Sequence, residues 1–223
     1  MPKLYIVPTP IGNLEDITLR ALNVFKECEI AFCEDTRTTA KLFSHYGISI
    51  RTMAYHMNNE HKTLPKIIDI IKSSGNCCLV SDAGTPGISD PGFLLIRECI
   101  KEGIEVECLP GATAFVPALV ASGLPSDKFM FYGFLPHKKG RMTALKEISE
   151  NEFTTVLYES PHRIQKLLEQ MLEHFSPERQ ICVAREITKI HETYFRGTVP
   201  EAIEFFNNNV VKGEFVVVIE GKK

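Results

Sequence analysis

The residues of this chain best suited to chemistry are carboxylates set among glycines and prolines at the ends of apolar runs. Residues 79–92 read Leu-Val-Ser-Asp-Ala-Gly-Thr-Pro-Gly-Ile-Ser-Asp-Pro-Gly. Glycine lets a backbone come close to a ligand, and proline fixes φ, so such a loop loses little freedom on binding. It follows the apolar run 77–80, and in open α/β sheets ligands sit at the carboxyl ends of strands. Asp82 and Asp90 would repel a phosphate. Carboxylates suit ribose hydroxyls, an amino group or a cationic centre, and S-adenosyl-L-methionine offers all three with no phosphate. The run 8–13, Pro-Thr-Pro-Ile-Gly-Asn, stands where a dinucleotide fold carries G-x-G-x-x-G, and its prolines lack N–H donors that a pyrophosphate needs. No P-loop follows a strand. A sulfonium cofactor is the expectation.

Three further polar sets each follow an apolar run: Glu34-Asp35-Thr36-Arg37; Glu159 with His162 and Arg163; and Arg185, Glu186, Lys189, His191 and Glu192. Any of them could supply a base or a charge to a reacting hydroxyl, and any could equally be a structural ion-pair network. Asp82-Ala83-Gly84-Thr85 bears some likeness to the nucleophile loop of haloacid-dehalogenase-type phosphatases, which would make Asp82 a hydrolase nucleophile. Those enzymes need a second aspartate where this chain has Gly84. A non-enzymatic RNA-binding module would have little use for rigid Gly/Pro loops.

Positioning these residues requires strands that alternate with helices. Residues 4–7, 30–33, 77–80 and 106–109 read as strands, with 52–54 a weaker one. Between them 19–28, 38–46, 64–73 and 94–102 carry helical apolar spacing. That alternation implies a mostly parallel sheet with helices on both faces. Asp16 and Thr18 offer N-caps for the first helix. A small-residue helix, 114–122, ends at Gly123-Leu124-Pro125. A second α/β series follows, with strands at 129–134, 154–158, 181–184 and 215–219 and a helix at 164–175. Two domains are expected, 1–115 with the main cofactor loops and 116–223 with substrate and catalytic residues.

The chain has 223 residues and a net charge of −3. The acidic excess falls wholly in residues 1–115, with 11 Lys and Arg against 14 Asp and Glu; residues 116–223 hold 14 of each. Local basic clusters, His137-Lys138-Lys139-Gly140-Arg141 and His162-Arg163, could contact phosphates. Seven scattered cysteines without a C-x-x-C read as small buried hydrophobes in a reducing cytoplasm. His56 and His61 bracket Glu60 with no third spaced partner, so no metal site is expected. No apolar run reaches the length of a membrane span.

Taken together the motifs resemble a known family. Val7-Pro8-Thr9-Pro10-Ile11-Gly12-Asn13-Leu14, then Cys33-Glu34-Asp35-Thr36-Arg37, residues 81–92, Pro110-Gly111-Ala112, Gly133-Phe134-Leu135-Pro136, residues 158–163, residues 184–192 and Gly213-Glu214-Phe215 occur in order. They look like the bacterial 16S ribosomal RNA cytidine 2′-O-methyltransferases, within the tetrapyrrole (corrin/porphyrin) methylase superfamily. The resemblance implies two α/β domains with the cofactor in the cleft between them, a homodimer, and ribosomal RNA or the small ribosomal subunit as partner. It also implies methylation of a cytidine ribose in the decoding region. Blocks 158–163 and 185–192 separate this branch from enzymes that methylate tetrapyrrole carbons, the alternative activity. On this reading Pro8 packs against the cofactor, Asp82, Ala83 and Gly84 make polar and backbone contacts to it, and Gly111 and Ala112 allow its close approach. Candidate catalytic residues are Lys189, Glu186, Arg185, Glu159, Arg163 and Asp35. Lys138, Lys139, Arg141, His162 and Arg37 are the candidate RNA contacts. Glutamates on both sides of Lys189 favour a charged lysine that stabilises an alkoxide over one that acts as base.

Overall fold

Alternating side chains assign the central strands of the first sheet to two different cores. In this computed structural model, which describes residues 2–209 and 211–223, the chain divides into two units, Met1–Thr113 and Ala114–Lys223. The first holds strands β1 (Lys3–Ile6), β2 (Ile30–Cys33), β3 (Arg51–Ala54), β4 (Cys77–Val80) and β5 (Glu105–Cys108). All pair in parallel in the order β3-β2-β4-β1-β5. Leu4, Ile6, Ile30, Phe32, Cys77 and Leu79 face helices α3 (Glu60–Ser73) and α4 (Phe93–Lys101). Their neighbours Val7, Ala31, Cys33, Cys78 and Val80 face α1 (Leu19–Glu27) and α2 (Thr36–His45). A sheet buried on both faces needs apolar residues at every position, and β2 and β4 are buried throughout. Of the two offered caps for α1, Thr18 is the one used, accepting the Ala21 N–H at 3.0 Å; Asp16 ends a short 3₁₀ turn instead. Because the strands are parallel, the loops after β1, β2, β4 and β5 leave from one edge.

The second unit is α/β, as expected, with a mostly antiparallel sheet. Its strands are β6 (Phe129–Phe134), β7 (Thr154–Glu159), β8 (Gln180–Arg185), β9 (Thr193–Thr198) and β10 (Phe215–Ile219), in the order β6-β7-β10-β8-β9. Only β6 and β7 run parallel; the other three pairs are antiparallel. Helices α6 (Arg141–Glu150), α7 (Ile164–Met171) and α8 (Val199–Asn207) bury one face over Leu157, Val183 and Val217. Helix α5 (Phe115–Ser122) packs against β7, β8 and β10. Phe115 was expected to close the first domain; its ring lies 4.6 Å from that of Phe131, within the second unit. Strand β9 and helices α6 and α8 were missed, and α7 stops at Met171 rather than at 175.

Register matters here. Phe215 lies opposite Glu159 on one side and Arg185 on the other. The carboxyl ends of β6, β7 and β8 therefore share one sheet edge with the start of β10.

Candidate active site

In the first unit the loops after β1 and β4 are tied to each other. Thr9 and Gly84 exchange both backbone hydrogen bonds at 2.9 Å, and the Thr9 hydroxyl donates to the Ser81 carbonyl at 3.1 Å. Thr85 donates its hydroxyl to the Ala112 carbonyl at 3.0 Å, which adds the loop after β5. Gly111 answers to Pro8. A Cβ at position 111 would stand 2.6 Å from the Pro8 Cβ, so the ring fills the space a side chain would take.

Beside these loops three carboxylates converge. The Asp35 N–H donates to Asp82 Oδ1 at 3.1 Å, and the Asp82 N–H donates to Glu34 Oε2 at 3.4 Å. Asp35 caps α2 by accepting the Arg37 N–H at 2.8 Å and also holds the Arg37 guanidinium at 2.6 Å. That pairing takes its carboxyl down to about 2. A carboxylate so stabilised is a poor base. The Arg37 guanidinium, a candidate RNA contact, stays 87% exposed beside it. Burial pushes the Glu34 and Asp82 carboxyls upward, with the neighbouring carboxylates adding to it. A positive ligand group relieves that strain and a phosphate worsens it, which argues against a phosphate ester at Asp82. An adjoining cavity of about 260 Å³ is lined by Thr9, Pro10, Leu14, Thr38, Lys41 and Asp82, among others. Asp82 is the residue of the sequence-derived cofactor set that lines it. Thr38 and Lys41 went unnoticed, although their three-residue spacing just after Asp35 puts both on one face of α2.

The second unit gathers two polar sets at the sheet edge. Glu159 is buried, its side chain 1% exposed, and both its oxygens are taken. Oε2 accepts from Arg141 Nη2 at 2.9 Å; Oε1 meets Arg163 Nε at 2.9 Å and the Ser160 N–H at 2.9 Å. Arg141 donates a further bond to Gln170 at 2.8 Å. Buried and engaged at both oxygens, Glu159 holds the two arginines in place. Arg141 corrects the basic-cluster reading in the same way: its side chain is 5% exposed and serves the ion pair, leaving Lys138, Lys139 and His162 on the surface.

The other set surrounds Lys189. Its ammonium lies 2.9 Å from Glu186 Oε1 and 2.9 Å from Glu214 Oε2. Burial works against the charge, yet these hydrogen bonds outweigh it and raise the lysine above its ordinary value. Glu186 accepts the Glu214 N–H at 2.9 Å as well. Burial works against its charge too, but Lys189 and that N–H bring its carboxyl below the usual range. Glu186 and Thr188 have left-handed backbones, with φ of 52° and 68°. Non-glycine residues held so are found where surrounding contacts over-determine the turn, and such sites are often functional. Gly213 is needed beneath: a Cβ there would collide with the Glu186 carboxylate. Arg185 donates to the Lys212 carbonyl at 2.6 Å.

Comparison with known proteins gives a consistent picture. The sequence profile of the Tetrapyrrole (Corrin/Porphyrin) Methylases matches residues 3–203. A ribosomal RNA small subunit methyltransferase I from Hydrogenobaculum is 48% identical over 219 residues, 97% of this chain and 95% of the relative. The Thermotoga maritima protein of the same name is 44% identical over 223 residues, the whole of both chains. Among solved structures, uroporphyrin-III-C-methyltransferase from Thermus thermophilus superposes with a TM-score of 0.65 at 21% identity, covering 98% of this chain and 94% of the other. A cobalt precorrin-4 methyltransferase reaches 0.70 at 15%, covering 98% and 94%.

Proposed function

The chain belongs to the tetrapyrrole (corrin/porphyrin) methylase family, in the branch of the ribosomal RNA small subunit methyltransferases I, and from that premise we propose that it methylates small-subunit ribosomal RNA. The acceptor we assign is the 2′-oxygen of a cytidine ribose in the decoding region, and the donor S-adenosyl-L-methionine. The observation that carries this reading is identity of 44–48% over nearly the whole chain with ribosomal enzymes, against 15–21% with the tetrapyrrole enzymes that share the fold. We further propose that the protein works in the cytoplasm as a homodimer.

S-adenosyl-L-methionine would supply a methyl carbon on a positively charged sulfur. The donor set fits that chemistry: Asp82 and Glu34 offer carboxylates to a cation, an amino group or ribose hydroxyls, in loops made rigid by Pro8, Gly111 and the Thr9–Gly84 pair. Methyl transfer needs little beyond alignment of acceptor oxygen, carbon and sulfur, and help for the oxygen as it loses its proton. Lys189, kept cationic by Glu186 and Glu214, would stabilise the developing alkoxide.

The decisive experiment is mass spectrometry of small-subunit RNA from cells lacking the protein, with methyl transfer by the purified chain to those subunits as its complement. A missing ribose methyl, restored in vitro, supports the reading. An intact RNA with altered tetrapyrroles overturns it.

Two variants test the assigned surfaces. Asp82→Ala is expected to weaken cofactor binding by about tenfold or more in calorimetry, the scale of a lost hydrogen bond to a charged group. Its thermal midpoint should stay near the wild-type value, because the side chain contributes nothing to a core. A collapsed midpoint with cofactor affinity intact would make Asp82 structural. Lys138→Ala with Lys139→Ala should lower the salt slope of RNA binding by about 1.4, the effect of two lost phosphate contacts on a single strand. Arg141 is left out of this variant because it is buried against Glu159. An unchanged slope would show that these lysines are only solvated.

A further inference from the structure

We infer that Phe134 and Arg163 form a subsite for one single-stranded nucleotide of the RNA, the ring stacking on the base and the guanidinium holding a phosphate. This rests on the reading that the substrate is RNA. Phe134 ends β6 and is 51% exposed, an unusual setting for a phenylalanine on a sheet. It stands in register with Tyr158, their ring centroids 5.5 Å apart and inclined by 60°. Tyr158 is braced in turn by Phe131 at 5.1 Å, and Phe131 by Phe115 at 4.6 Å. A row of rings thus fixes the orientation of Phe134, so that a base stacking on it would immobilise nothing new.

Arg163 stands at the same edge, in the turn that follows β7. Its Nε meets Glu159 Oε1 at 2.9 Å and Ser160 Oγ at 3.2 Å, and its Nη1 lies 3.0 Å from His137 Nδ1. Arginine can only donate, so in this contact His137 accepts through Nδ1. Nη2 has no hydrogen-bond partner among the described residues. One glutamate serves two arginines here, Arg141 and Arg163, so a positive charge is left over at the edge. His137 lies three residues beyond Phe134, with the exposed Lys138 and Lys139 following. An exposed ring alone would fit any flat apolar group, and a fixed cation alone would fit any anion. Both at one edge match a nucleotide whose base is splayed from its neighbours, the form in which single-stranded RNA is read. Glu159 is then a positioning residue, holding Arg163 in place without touching RNA.

The test uses the purified full chain with a short fluorescent single-stranded RNA, and with small ribosomal subunits from cells lacking the protein. Phe134→Leu should bind RNA about tenfold more weakly, with the salt slope and the cofactor affinity unchanged, and Phe134→Tyr should bind normally. Arg163→Met should lower the salt slope by about 0.7. Should the wild-type chain methylate the subunits while Phe134→Leu and Arg163→Met both bind RNA with wild-type affinity and slope, the subsite is wrong and the RNA reading stands. A wild-type chain that neither binds nor methylates either RNA overturns both.

Discussion

Glu159→Ala is expected to lower the unfolding free energy by about 3–5 kcal/mol, the cost of removing one partner from a buried ion pair. The carboxylate sits between two guanidiniums, and the Arg141 side chain is only 5% exposed. Without Glu159, Arg141 keeps its charge but loses its counter-ion, and water cannot reach it to compensate. Its Nη1 is already buried with no hydrogen-bond partner among the described residues. Urea unfolding measures the effect. Replacing Arg141 and Glu159 together with Met and Leu should recover much of it, because an apolar pair of similar volume is no worse in a core than an ion pair. If the single variant unfolds at the wild-type urea concentration, the network contributes no stability.

Lys189→Met is expected to cut the methyl-transfer turnover about a hundredfold while cofactor affinity holds, the usual scale for losing one preorganised charge at a developing oxyanion. The lysine lies 2.9 Å from each of two carboxylates, and these raise it above its ordinary value in spite of burial. It therefore carries its proton throughout the neutral range and is no base there. Lys189→Arg keeps the charge and should retain most of the turnover. The sign of the pH effect follows. The pairing stabilises the folded chain at pH below the ordinary lysine value, and is lost only as pH climbs through the raised one. Normal turnover by Lys189→Met would leave Lys189 as a purely structural ion pair.

What could be read from the sequence divides along physical lines. The first sheet was legible because strands buried on both faces must be apolar at every position, as 30–33 and 77–80 are. Strand β9 was not: it lies at the edge of its sheet, and Arg196 and Gly197 break its apolar pattern. Helix α8 did carry a signal, the Thr198-Val-Pro-Glu201 capping box with proline in its first turn. The polar sets around Glu159 and Lys189 were visible as motifs. Their roles were hidden, since Arg141 and Glu214 reach them from distant parts of the chain and only the antiparallel register brings 159, 185 and 215 together. Burial was the other unseen quantity. An arginine next to two lysines reads as surface until a carboxylate is found beneath it.

The reciprocal pair between Thr9 and Gly84 also has a kinetic meaning. Neither loop can swing away alone, for either departure strands an N–H and a C=O on the other. Thr9 and Gly84 therefore open together, next to the ends of β1 and β4, two neighbouring strands of the sheet. The Thr9 and Gly84 amide protons should trade with solvent on the slow clock of the sheet instead of the fast clock of ordinary surface turns.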